Sequence, residues 1–322
     1  MKKHEQNEKL NTQVENTLES TPKKGSKKKS IIVWCAVGVP LTALLVAGGV
    51  ILGKDLGGKA FYRDPYANID INNLDDDYTE AYERYVKSNA STYYQKFNDV
   101  ELVNIALLNL NHVDNFYAIT TGSVKAAGVT QTINATYIKN GSDYFEESIT
   151  SSSFVKGANR FYQVGDETNW YKGKYVNQTE GDYSKCKPTT YKNDEFEETW
   201  GRKISRACVY IINETTCLNS TQTNNNDGTV TIDLELDPSL SVVRYTKQMV
   251  LTGGLSEKPV FHSVKLSFTL DKDVKLLTFK TDEVYDVHMV IDAKDSKGQI
   301  TQDYTYSERK IPEINENANY EK

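Results

Sequence analysis

Hydrophobic residues along this chain change their spacing several times, and each change marks an element. From Ile31 to Leu52 the run IIVWCAVGVPLTALLVAGGVIL contains no charged residue. At about 1.5 Å per helical residue it is long enough to cross a hydrocarbon core of roughly 30 Å. Pro40 in its middle is tolerated better by a membrane helix than by a soluble one. A later segment, NDVELVNIALLNLNHV, puts Val100, Val103, Leu107 and Leu110 on one face at helical spacing, with Asn98 or Asp99 as the cap. Before it, DDDYTEAYERYVKSNA (Asp75 to Ala90) reads as a helix with acids in its first turn, where the dipole favours them.

Beyond that helix the period becomes two. Val129, Ile133, Ala135 and Tyr137 alternate with Thr130, Thr132, Asn134 and Thr136, and Asn140-Gly141 signals a tight turn into a second strand, Tyr144 to Thr150. NRFYQVGDETNWYKGKYV predicts another hairpin around Gly165-Asp166, NDEFEETWGR a short helix, and KISRACVYII a strand. NSTQTNNNDG reads as a polar loop. Val230, Ile232, Leu234 and Leu236 then alternate with Thr229, Thr231, Asp233 and Glu235. Asp237-Pro238 is a helix-start signal and Gly253-Gly254 a stop. Strand spacing resumes with Val264, Leu266, Phe268 and Leu270. Two more strands are expected over Leu276–Tyr285 and Tyr285–Ile291, and a last one, Ile300–Tyr306, after a turn at Lys297-Gly298. One-sided alternation of this kind predicts an antiparallel sheet with one covered and one wet face, to which both halves of the chain add strands.

Charge then sets an orientation. Residues 1–30 carry eight lysines against four glutamates, a net +4; the whole chain is −6 and the apolar run is neutral, so the remainder carries −10. Lysines clustered beside a span keep that side in the cytoplasm. The expected organisation is a disordered cytoplasmic tail (1–30), a transmembrane signal-anchor helix (31–53), a stalk (54–74), an extracytoplasmic β-rich domain (75–311) and a flexible terminus (312–322). The localisation expected is the cell membrane, single-pass, with the C-terminal domain outside. An acidic body repels phosphate backbones, so no nucleic-acid partner is expected. The fold class expected is α+β: the N-terminal transmembrane helix, then a curved, half-barrel-like antiparallel sheet covered on one face by a few helices.

Candidate chemistry is sparse. Gly53-x-x-x-x-Gly58-Lys59 has the outline of a phosphate-binding loop, but Ala60 stands where a Mg²⁺-binding hydroxyl is needed and no strand precedes it. It reads as a hinge beside the span. No His-x-x-x-His, Gly-x-Ser-x-Gly or Cys-x-x-Cys is present. His262 shares parity with the apolar Val264, and His288 with polar positions, so the two are expected on opposite faces. Glu146, Glu147, Asp194, Glu195, Glu197 and Glu198 read as solvated surface. Cys186, Cys208 and Cys217 are odd in number, with Cys208–Cys217 the candidate bridge. No catalytic, metal or cofactor residue is assigned, and the chain is expected to bind rather than catalyse.

Taken with strand-turn-strand segments such as NATYIKNGSDYFEE and SVKLSFTLDKDVKLLTF, the element order over roughly Val100 to Tyr306 resembles the lipoprotein-carrier superfold. That group includes the outer-membrane lipoprotein carriers and the mycobacterial lipid-transfer lipoproteins. The resemblance implies acyl chains held in the concave face of the sheet, although a membrane helix here replaces a lipidated cysteine. The candidate lining is Val103, Leu107, Ile133, Tyr137, Leu234, Leu266 and Phe268. A rival resemblance, to inner-membrane scaffold proteins of conjugative secretion systems, implies assembly through protein contacts and a division near Trp200. The expected partners are accordingly the membrane and either a lipid or another envelope protein. The hairpin aromatics Tyr162, Trp170, Tyr171 and Tyr175 are candidate partner contacts, because tyrosine joins apolar area to a polar tip.

Overall fold

A computed structural model describes residues 64–70, 74, 78–205, 208–253, 255, 257–288 and 292–313. The tail (1–30), the apolar run (31–53), the Gly53–Lys59 loop and the last nine residues lie outside them. Among the described residues no helix is long and apolar enough to cross a membrane.

The twelve described strands form one open, curved antiparallel sheet. The first meander runs β1 (Asn115–Ala126), β2 (Val129–Asn140), β3 (Asp143–Ser151), β4 (Lys156–Val164) and β5 (Glu167–Asn177), with two short strands on β5, β6 (Glu180–Asp182) and β7 (Thr189–Lys192). The second runs β8 (Cys217–Asn224), β9 (Val230–Leu236), β10 (Val260–Leu270), β11 (Leu276–His288) and β12 (Asp292–Thr305). The first and last long strands join the halves: Tyr117 to Lys125 of β1 pairs with Thr305 to Lys297 of β12. Both halves therefore do add strands to a single sheet.

One face is covered by helices α1 (Thr79–Val86), α3 (Asp99–His112) and α5 (Val243–Gly253), and by the irregular segment Val209–Ile212; α4 (Asn193–Trp200) covers the β4–β5 end. A short α2 (Tyr93–Lys96) links α1 to α3. The α3 start is explicit in the sequence: the Asn98 side chain accepts the Glu101 N–H and the Glu101 carboxylate accepts the Asn98 N–H, a capping box. The apolar stripe of α3 is wider than the four-residue face expected, since Leu102, Ile105 and Ala106 are buried as well. A main apolar core lies between these helices and the sheet. A smaller cluster, Ile138, Phe145, Tyr162 and Tyr171, occupies the opposite face beneath Tyr183 and Ile311.

Several expected elements differ. The KISRACVYII segment forms no strand in its described residues. Val209, Tyr210, Ile211 and Ile212 are buried one after another, and the Ile211 N–H donates to the Ser241 carbonyl at 2.8 Å. The polar NSTQTN stretch is strand β8, not loop; an edge strand with both faces wet has no apolar alternation to reveal it. β1 escaped assignment because Thr120 and Gly122 interrupt its apolar parity. β11 runs unbroken past Tyr285, and Lys297-Gly298 lies inside β12 with Gly298 opposite Val124 and Glu283. Asp237 anchors a turn instead of α5, taking the Ser239 N–H on its carboxylate at 2.7 Å; the helix starts at Val243. A register shift between Phe261 and Ser263 reverses parity at His262, which points to the wet side beside Asp286 at 3.1 Å. His262 and His288 thus share the polar face, each paired with an aspartate (Asp286 and Asp292). Tyr66 is in the main core, its hydroxyl donating to the Pro259 carbonyl at 3.0 Å, so the described part of the stalk packs on the domain.

Candidate functional site

Strand register decides which side chains meet on the helix-covered face. Ile133 of β2 pairs with Gly122 of β1 and Thr150 of β3, and Gly122 with Ile300 of β12, so these four share one row. The next row holds Ser148, Ala135, Thr120 and Gln302, continuing to Asn159 of β4 and Phe279 of β11. Ala118, with Tyr137 and Tyr304 beside it, and Val124, with Gln131 beside it, extend the patch at either end. The middle of the sheet is thus a floor of small side chains: Ala118, Thr120, Gly122, Ala135, Ser148, Thr150 and Gly157.

Large rings surround this floor. Phe161, Trp170, Phe196 and Trp200 pack against one another at the β4–β5 side. Phe268 stacks on Phe279 at 4.7 Å on the β10–β11 side. Phe116 holds Tyr137 and Tyr304 at one end, with centroids 5.6 and 5.8 Å away. Within these apolar walls, Thr120 Oγ1, Gln131 Nε2, Ser148 Oγ and Thr150 Oγ1 are buried, and none has a hydrogen-bond partner among the described residues. Thr281 Oγ1 on β11 is in the same condition, beside Ile300. Buried polar atoms in proteins are nearly always bonded, so five on one patch of sheet is a local excess.

Two ionisable groups flank the floor. Glu146 is buried and held by Arg202, whose Nη2 donates to both carboxylate oxygens at 2.9 Å, with the guanidinium over Phe161 and Phe196. Burial pushes its carboxyl up to about 7, against the pull of Arg202. Its neighbour Glu147 faces the other way, onto Arg160 at 3.0 Å. Neither of the pair is the solvated surface acid expected: Glu146 is buried, and Glu147 is largely covered where it meets Arg160. At the far end Glu283 is fully buried, accepts the Tyr210 hydroxyl, and is driven by burial up to about 8.

All seven residues singled out as ligand lining belong to or pack against the main core. Val103 and Phe268 are completely buried, Ile133, Leu234 and Leu266 nearly so, and Leu107 and Tyr137 partly. Ile133 and Tyr137 stand four residues apart on β2; Leu266 and Leu234 continue the Ile133 row through Ile300 and Thr281, Phe268 continues the next row from Phe279, and Val103 and Leu107 are on α3. The four hairpin aromatics separate. Trp170 lies under α4, Tyr162 and Tyr171 face the opposite side in the smaller cluster, and Tyr175 is half-buried with the Lys156 ammonium 5.1 Å from its ring. The floor's own polar groups were missed because Thr and Ser on a buried parity look, in sequence, like residues on a wet one. Cys186, Cys208 and Cys217 are all thiols, with no Cys208–Cys217 bridge. No group of three or more metal-ligating side chains occurs among the described residues.

The opposite, polar face also has a concavity, of about 730 Å³, crossing β8, β9, β10, β11, β12 and β1. Asp233, Glu235, Lys265, Lys280, Asp282 and Gln299 line it. It is charged where the covered face is apolar.

These features define an α+β domain in which helices cover one face of an open, curved antiparallel sheet whose middle carries small and hydroxylic side chains. No protein-family model matches the chain, and no curated protein matches it. Among solved structures it is similar to LprF from Mycobacterium bovis, at 8% identity and a TM-score of 0.36, covering 67% of this chain and 96% of that one. It is also similar to a DUF1329 family protein from Desulfovibrio piger, at 11% identity and a TM-score of 0.24, covering 64% of this chain and 90% of that one.

Proposed function

We propose that this chain is a membrane-anchored, extracytoplasmic binding protein that holds a hydrophobic or lipid-like ligand against the helix-covered face of its sheet. The observation that carries the reading is the floor of small residues whose hydroxyl and amide groups are buried beside large rings without hydrogen-bond partners among the described residues. A ligand site is mostly apolar with a few placed polar groups that fix orientation. Thr120, Gln131, Ser148 and Thr150 are groups of that kind, able to donate to ester or amide oxygens of an amphiphile. The uncharged run Ile31–Leu52 and the lysines before it support the anchor and its orientation.

The test is organic extraction and mass spectrometry of the full chain purified in a maltoside detergent, beside Ala135→Trp, which fills the floor. The reading expects acyl lipid at about one per chain in the parent and at least about tenfold less in the variant, both having the same circular dichroism. Equal lipid in the two proteins, or none in the parent, would overturn it.

A further inference from the structure

The two edges of the sheet are finished differently. At one, the open side of β5 is divided between β6 and β7, strands of three and four residues; β6 carries Glu180 and Asp182, and a register shift lies between Tyr175 and Asn177. Short strands, charges and bulges are the devices by which proteins blunt an edge against pairing. The other edge, β8, has few of them. CLNSTQTN is eight residues long, with no charge, proline or glycine. Apart from a register shift between Cys217 and Asn219, it pairs regularly with β9 as far as Asn224. Every side chain from Leu218 to Asn224 is exposed, Leu218 at 61%. Among the described residues β8 has one strand neighbour, β9, with α3 packed nearby, so its outer row of N–H and C=O groups faces no described strand.

The charged side chains opposite β8 on β9 and beside Cys217 are acidic. On the polar face β9 presents Asp233 and Glu235, opposite Thr221 and Asn219. Glu214 and Asp99 lie close enough to Cys217 to help burial raise its thiol. Asp227 sits at the β8–β9 turn. The first lysine inward, Lys265, is a strand further away and already faces Glu235. The 730 Å³ concavity reaches this edge at Asn219 and Thr221.

We propose that β8 is a docking edge that takes an extended, basic segment of a partner protein as an additional strand. Main-chain hydrogen bonds to the open row supply affinity, and lysines or arginines at alternate positions reach Asp233 and Glu235. A second copy of this acidic chain brings the wrong charge to such an edge.

The probe is a labelled eight-residue peptide of alternating Lys and Thr, titrated by fluorescence anisotropy against the full chain in maltoside micelles. The proposal expects saturable binding that weakens by about tenfold between 50 and 300 mM salt. It expects loss of binding when alternate peptide nitrogens are methylated, and at least about fivefold weaker binding to Thr221→Lys and to Asp233→Asn/Glu235→Gln. These positions are exposed, so an unchanged melting temperature checks that the variants fold. Absence of saturable binding overturns the proposal, as does equal binding of the methylated peptide or of a Glu-for-Lys peptide. Dimerisation of the chain in sedimentation that Thr221→Lys abolishes would assign the edge to a second copy and overturn it too.

Discussion

Glu283 is a buried carboxyl with no charged partner among the described residues, and its protonation is tied to stability. Desolvation lifts it from 4.5 to about 8, while the hydroxyls of Tyr210 and Tyr245 pull the other way. The folded state therefore keeps a proton that the unfolded state has released over that interval. The stabilisation is complete below about pH 4.5 and declines as pH rises to and through 8. Glu146, lifted to about 7, adds a contribution of the same sign. Melting temperature should fall from pH 5 to 9, and Glu283→Gln should flatten that slope by up to about one proton while matching or exceeding the parent at pH 9. Thermal melts at five pH values check this; a parallel slope in the variant would show that Glu283 does not hold the proton. The polar floor residues are the opposite case, uncharged groups whose lack of partners no titration reveals.

At the scale of elements, the seam between β1 and β12 has the tightest requirement. A Cβ on Gly122 would lie 2.5 Å from the Gln299 carbonyl oxygen and 2.9 Å from the Ile300 side chain. The first of these is backbone and cannot rotate away. Gly122→Ala should cost about 1–3 kcal/mol, measured by urea denaturation, whereas Gly228→Ala, in an open turn at φ +84, carries a backbone penalty alone. The same seam shows what sequence patterning reveals. Strands with one dry and one wet face, β9 and β10, were legible from alternation, and α3 from its spacing and cap. β1 was hidden because small and hydroxylic residues occupy its dry face, and β8 because neither of its faces is dry. His262 was placed on the wrong side because one register shift reverses parity, and periodicity has no memory across such a shift.

For the whole molecule, the sheet is continuous but its faces are unequal: one dry and helix-covered, one charged and hollowed. One-sided cover and a single sheet built from both halves were readable from the sequence, and the element order in part, with β1 and β8 missing from it. The candidate site was not, because it is a property of register: Thr120, Ser148 and Thr150 come together only once β1, β2 and β3 are aligned. At this scale the topology proposal makes its own prediction. External protease on intact cells should degrade the acidic domain while an N-terminal tag on the lysine-rich tail survives; protection of the domain would reverse the orientation. The joining of β1 to β12 also bears on how the chain acquires its shape. A ribosome delivers β1 well over a hundred residues before its partner β12, so the first meander waits with an open flank until that strand emerges. Contacts so distant in sequence make assembly slow, and the interval leaves a newly made chain dependent on whatever shields that bare strand.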